Sequence, residues 1–145
     1  MARIIPAVAV VALVPVLLLG ACGGGDGSSG GSLEGPTWTL VSYAADGDQL
    51  PVPDGVEATA TFADGTVQGS SGCNSFNGSY ELDGDGLTFG PLASTLMACE
   101  PPQSDVEAAV FAGLDATTSY RLEDGTLMLL DEAGAELLEY EETSA

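Results

Sequence analysis

The chain has no histidine and no lysine, and its 145 residues hold only two arginines, Arg3 and Arg121, against 22 aspartates and glutamates. Phosphate backbones are gripped by Lys and Arg, so a formal charge of −20 speaks against nucleic-acid binding. The same charge repels anionic lipid surfaces, and any hold on a membrane must come from something other than a basic patch. With neither His nor Lys, a Ser or Cys nucleophile lacks its ordinary base. The sequence also lacks a long uninterrupted apolar run. Ile4 to Leu19 is apolar but short and broken by Pro6 and Pro15, whereas a membrane-spanning helix needs roughly 20 residues.

What the first residues do contain is a charged start at Arg3, that apolar stretch, and the small pair Gly20-Ala21 before Cys22. This is the three-part plan of a secretory signal peptide. Leu19-Gly20-Ala21-Cys22 resembles a bacterial lipobox, in which a diacylglycerol thioether is placed on the cysteine sulfur and a peptidase cuts before it. The resemblance implies residues 1–21 as a lipoprotein signal peptide, Cys22 as the lipidated residue, and export to the extracytoplasmic face of a bacterial cell membrane. Two acyl chains give stable anchoring where one gives marginal binding. Residues 22–34, rich in Gly and Ser, read as a flexible tether.

Residues 35–141 are enough for one small domain with one core, followed by a tail at 142–145. Asp-Gly pairs punctuate it at Asp46-Gly47, Asp54-Gly55, Asp64-Gly65, Asp83-Gly84-Asp85-Gly86 and Asp124-Gly125. Each is a hairpin signal, because both residues tolerate positive φ. Between them lie alternating runs. Thr37–Ala44 puts Trp38 and Leu40 on one face; Val56, Ala58, Ala60 and Phe62 form another apolar face; Phe76, Tyr80 and Leu82 form a third. Further strands are expected at Leu87–Phe89, Ser94–Ala98, Ser119–Glu123, Thr126–Leu130 and Glu136–Tyr140. Period-2 alternation with a polar outer face predicts an antiparallel meander.

One segment breaks the alternation. After Pro101-Pro102-Gln103, the run Ser104-Asp105-Val106-Glu107 has the form of a capping box, with Ser104 as N-cap and Glu107 reaching back to its amide. Val106, Val110, Gly113 and Leu114 share a helical face with Phe111 on its flank, which predicts one core-packed helix ending near Asp115.

Once Cys22 is lipidated, Cys73 and Cys99 are the remaining thiols. In an exported chain they most simply form a disulfide. A redox pair or metal ligands are the rivals, against which stand the lack of CxxC spacing and of any His. Paired carboxylates run glycoside hydrolysis in other proteins, yet nothing here singles out a couple. Asp83-Gly84-Asp85-Gly86 lacks the closing Glu of a calcium loop and reads as a turn. No catalytic, cofactor-binding or metal-binding residue is assigned.

Trp38-Thr39-Leu40 after a Gly-Pro start, the run from Val67 to Tyr80 through Gly72-Cys73-Asn74-Ser75-Phe76-Asn77-Gly78, Thr95-Leu96-Met97-Ala98-Cys99, Glu107 with Phe111 and Leu114, and the strand Leu127–Leu130 together resemble the META domain family, which includes heat-shock lipoproteins of the HslJ type. The resemblance implies an α+β, mostly β fold: a curved antiparallel sheet or partial barrel of about 7–8 strands with one packed α-helix. Gly69, Gly72 and Gly78 are then expected where the backbone turns, bulges or approaches another strand. Asn74 is expected to fill a turn and bond its own backbone. With Trp38, Phe76, Tyr80, Thr95, Met97 and Glu107, these residues form a motif read as scaffold. The expected role is a non-enzymatic binding or envelope-stress lipoprotein, monomeric, whose partners are the membrane through Cys22 and an envelope protein or small ligand. A structural or assembly role of the pilot or chaperone kind is the alternative, and a hydrolase working through acidic pairs a more distant one.

Overall fold

A computed structural model describes residues 31–143. The expected signal peptide, Cys22, the expected tether up to residue 30 and the last two residues of the tail lie outside the described residues.

Nine antiparallel strands and one helix follow each other in the order β1 (Thr37–Ala45), β2 (Asp48–Pro51), β3 (Ala58–Ala63), β4 (Thr66–Ser71), β5 (Ser75–Asp83), β6 (Gly86–Ser94), α1 (Gln103–Ala116), β7 (Ser119–Glu123), β8 (Thr126–Leu130) and β9 (Glu136–Thr143). Each strand from β3 to β9 pairs with the next, and β9 pairs back onto β1, which also pairs with β3. The sheet is therefore a ring, closed where an open curved sheet was the alternative. The hairpin strand β2 flanks the C-terminal half of β1, opposite β9. It was not foreseen, because all four of its residues are exposed and it has no apolar alternation to read.

The Asp-Gly signals are turns for the reason given by their chemistry. At 46–47, 64–65 and 124–125 both residues have positive φ, from 48° to 52° on Asp and from 76° to 87° on Gly, the signature of type I′ hairpins. Trp38 and Leu40 point inward, and a bulge between Leu40 and Ser42 then shifts the inward position to Tyr43. Ala58, Ala60, Phe62, Phe76 and Tyr80 face inward as the alternation requires. Leu82 does not: it is 45% exposed at the end of β5, beyond the reach of the core. The expected strands at Leu87–Phe89 and Ser94–Ala98 are corrected to one long β6 followed by an irregular segment at 95–100. Pro91 is tolerated within β6 because that strand's second edge is paired only at Gly86↔Ser119.

Both domain boundaries extend past their expected positions. Leu33, assigned to the tether, is buried in the core cluster, and its carbonyl accepts the indole N–H of Trp38 at 2.9 Å. Glu34 accepts the phenol of Tyr80. Residues 31–36 thus form a strap across one mouth of the barrel. At the other terminus Glu142 and Thr143, assigned to the tail, pair with Trp38 and Thr37. The helix occupies the other mouth and buries Val106, Val110, Gly113 and Leu114, the four residues its periodicity selects. No described helix is long and apolar enough to cross a membrane.

The barrel closes tightly only because some inward positions are nearly empty. Trp38 is the cross-strand partner of Ala60, and Ala60 is the partner of Gly69. A Cβ on Gly69 would lie 1.9 Å from the Thr59 carbonyl oxygen, a backbone atom that cannot rotate away. Gly69→Ala is expected to destabilise the domain by about 1–3 kcal/mol, through backbone displacement of β3. Urea unfolding that leaves the midpoint unchanged would contradict this account.

The strap has its own titration signature. Burial and the Glu34 hydrogen bond raise the Tyr80 phenol from 10.0 to about 12, and complete burial also pushes Tyr140 up. A raised folded-state pKa means that this stability is intact below pH 10 and is lost as pH rises toward about 12. Alkaline titration followed at 295 nm is expected to show tyrosine ionising late, and Glu34→Ala to bring part of that signal earlier.

Candidate functional site

The motif residues divide between two places. Trp38, Gly69, Gly78 and Tyr80 belong to the barrel wall and core. A Cβ on Gly78 would strike Leu92 Cδ2 at 2.5 Å and the Pro91 carbonyl at 2.9 Å, beside the bulge between β5 and β6. Phe76 lies edge-on to Phe111 of the helix with centroids 5.9 Å apart, and so joins wall to helix. The others, Gly72, Asn74, Thr95, Met97 and Glu107, converge with Cys73 and Cys99 at the helix mouth.

Their assembly starts from the turn between β4 and β5. Ser71 is fully buried, its amide donates to the Asn74 carbonyl at 2.8 Å, and its hydroxyl accepts the Asn74 amide at 3.0 Å. Gly72 follows with φ of 99°, and a side chain there would press on Val56 and Val106 at 3.1 and 3.3 Å. Cys73 then faces Cys99, to which it is disulfide-bonded with Cα atoms 6.1 Å apart. The disulfide expected from the two remaining thiols is present.

Asn74 is 4% exposed, and its carboxamide is used in full. Oδ1 accepts the Met97 amide at 2.7 Å and the Thr95 hydroxyl at 2.9 Å. Nδ2 donates to Glu107 Oε1 at 2.8 Å and to the Met97 carbonyl at 3.2 Å. The Thr95 hydroxyl also accepts the Ser75 amide at 3.1 Å. The expectation that Asn74 bonds its own backbone is therefore corrected. Ser71 fills the turn, and Asn74 reaches across to the 95–97 segment. The expected capping box is absent too. Pro102 is the N-cap, with no side-chain cap, and Glu107 turns inward to accept Asn74 and the Ser71 hydroxyl, the latter at 2.7 Å. Two buried donors hold that carboxylate, because an unpaired buried donor is costly, and the Ser104 amide donates instead to the Glu100 carbonyl at 3.3 Å.

The cluster consequently offers little to a substrate. Ser71 and Glu107 stand at hydrogen-bond distance, but the hydroxyl has no exposed surface. Among the described residues no buried side-chain polar atom lacks a partner, and no group of three or more His, Cys, Asp or Glu is placed to hold a metal. Ser71 escaped the sequence reading: only its position one residue before Gly72 hinted at a turn.

Besides one of about 410 Å³ lined by Asp124, Glu141 and Glu142 among others, three concavities surround the barrel. A groove of about 570 Å³ on the outer face of β3 to β6 is lined by Thr59, Thr61, Gln68, Ser75, Asn77 and Thr95 among others, and none of its lining residues is charged. A second, of about 390 Å³, lies where Phe89 to Leu92 meet Phe111 and Asp115. The third, of about 610 Å³, runs along the strap and contains Glu34, Asp85 and Arg121. On β9, burial and the hydrogen bond to Glu139 hold the Glu136 carboxyl above the usual carboxylate range, with Arg121 opposing.

The META domain family model matches residues 31–144. The chain belongs to the META domain family. Its ring of strands is similar to an NMR structure of a protein from Burkholderia xenovorans, with 29% identity over 78% of this chain and 85% of that one and a TM-score of 0.65. A crystal structure of a DUF4847 family protein from Bacteroides vulgatus shares the fold, with a TM-score of 0.57 at 19% identity over 78% of this chain and 96% of that one. None of the curated proteins compared with the chain matches it.

The carboxamide has a direct test. Asn74→Asp removes both N–H donors and sets an acceptor against Glu107, so a loss of about 3 kcal/mol or more is expected at pH 7. The new carboxyl has a folded-state pKa raised above its unfolded value near 3.9. The penalty therefore grows as pH rises through that raised value and shrinks on acidification. Unfolding of wild type and variant at pH 7 and pH 4 is expected to show the gap narrowing at the lower pH.

Proposed function

We propose that the chain is exported, held by a lipid on Cys22 at the extracytoplasmic face of a bacterial membrane, and works there as a non-catalytic binding domain in the cell envelope. The observation that carries the binding role is the direction of the motif's polar groups. Ser71, Asn74 and Glu107 satisfy one another and the backbone of the 95–97 segment, so their chemistry is used to fix a surface. An enzyme's acid or nucleophile has to reach its substrate. The uncharged lining of the groove on β3 to β6 supports a binding surface there.

Anchoring is supported by Leu19-Gly20-Ala21-Cys22 and by the composition. A domain with Arg121 as its sole described cation has no electrostatic route to an anionic membrane, and a covalent lipid supplies one that ignores charge. The core of the closed barrel is occupied by Trp38, Tyr140 and several leucines, which favours binding at the outer surface.

Wild-type protein is expected to partition into the detergent phase after extraction of bacterial membranes, with a mature N-terminal peptide heavier by a diacylglycerol thioether. Cys22→Ser is expected in the aqueous phase. Retention of that variant with the membrane would defeat the lipid-anchor reading.

A further inference from the structure

We propose that Leu96 and Met97 form an apolar knuckle that docks into an apolar socket, rimmed by lysine or arginine, on another protein; this rests on the binding role proposed above and names its surface and partner class. Leu96 is 93% exposed and Met97 61%, against 45% and 40% for Leu82 and Leu50, the other exposed large apolar side chains among the described residues. Single exposed apolar side chains are ordinary. These two are adjacent, and their backbone is held by the most highly bonded side chain of the cluster. Asn74 grips both the N–H and the C=O of Met97, the Thr95 amide donates to the Ser75 carbonyl at 3.0 Å, and Cys99 is tied to Cys73. The backbone of the segment is therefore held on both sides. A segment already fixed in place loses less freedom on docking.

Position and charge select the partner. The chain enters the barrel through the strap, beside Gly84 at the far end of β5, whereas the knuckle adjoins Ser75 at its near end. Nine strand residues separate the two by roughly 25 Å. The knuckle therefore points away from the side on which the tether leaves, which disfavours a lipid surface as its occupant. Its surroundings are acidic. Glu100 and Asp105 are exposed beside it, and Glu107 shares with the Met97 carbonyl the same Asn74 amide group. Arg121, the one described cation, lines the strap cleft at the opposite end. A second copy would bring like charge to like on a chain of formal charge −20. A basic rim around an apolar socket complements both features.

The test places a photoreactive benzoylphenylalanine at Leu96 of the full chain in intact cells, with the same probe at Gln68 in the neutral groove and at Leu50 on β2. Expected is one cross-linked protein from position 96, none from position 50, and a cross-linked peptide that maps to apolar residues flanked by Lys or Arg. Met97→Asp, at an exposed side chain that leaves thermal unfolding unchanged, is expected to lower that yield at least tenfold. Cross-linking of position 96 to lipid, to a second copy, to a partner surface without basic residues or to nothing overturns the knuckle, as does a yield that ignores Met97→Asp. A product from position 68 or 50 with none from 96 overturns the knuckle and leaves the binding role standing. Silence at all three positions overturns both.

Discussion

A primary amide can offer two donors and two acceptor lone pairs, and Asn74 uses all four against the Met97 amide and carbonyl, the Thr95 hydroxyl and the Glu107 carboxylate. Three separate pieces of chain meet in that one buried group: the β4–β5 turn, the irregular segment after β6, and the first turns of the helix. Segment 95–100 has no strand ladder of its own, so its backbone needs partners from elsewhere. Asn74 supplies them in the manner of a neighbouring strand, and the Cys73–Cys99 disulfide fixes the segment's far end. The chain-entropy model gives about 3 kcal/mol for a loop of this length, a sizeable share of what a small domain has.

The demands of that carboxamide propagate outward. Glu107 is drawn away from the helix terminus, which then begins on Pro102 without a side-chain cap. The helix is held instead by its buried face. Gly113 lets it settle on β9, where a Cβ would meet Leu138 at 2.7 Å. Gly72 brings the turn against Val106 in the same way. Glycine here is a matter of approach distance at one position and of left-handed backbone at the other.

Much of the barrel was legible because its signals are local. Asp-Gly turns and period-2 alternation each concern only a few neighbouring residues, and so the strand before Asp64-Gly65 and those on either side of Asp124-Gly125 fell near where the pattern put them, whereas β4, with Val67 as its one large apolar residue, was not foreseen. The helix face was equally readable from Val106, Val110, Gly113 and Leu114. What escaped depends on residues distant in sequence. Ser104-Asp105-Val106-Glu107 satisfies every local criterion for a capping box, yet Glu107 has better partners more than thirty residues upstream, at separations of 36 and 33. Leu33 looked like part of a Gly-Ser tether because its reason for being apolar is the space under Trp38, which no local pattern reveals. β2 and the exposure of Leu82 were missed for the converse reason, being at edges where alternation no longer reports burial. The motif's grouping at the helix mouth was implied by its resemblance to a family, and its inward-turned chemistry became visible only with the contacts.

Ring closure makes the helix necessary for a further reason. The seam between β6 and β7 is held by a single registered pair at Gly86↔Ser119, with the Leu87 and Tyr120 amides donating across it at 3.1 and 2.9 Å. Beyond that point β6 continues for eight residues with one edge unpaired, and an unpaired edge is a template for another chain. Two devices blunt it. Pro91 removes a donor from the middle of the strand, and Phe111 of the helix faces Phe89 and Leu92 across a concavity. The helix that plugs the barrel mouth thus also shields its weakest joint. Its N-terminal turns answer to Asn74 through Glu107, so the seam, the plug and the displayed 95–97 segment share one support. A barrel built this way tolerates variation at the strap mouth, where Leu33 and Glu34 act locally, far better than at Ser71, Asn74 or Glu107, where three elements lose their common anchor together.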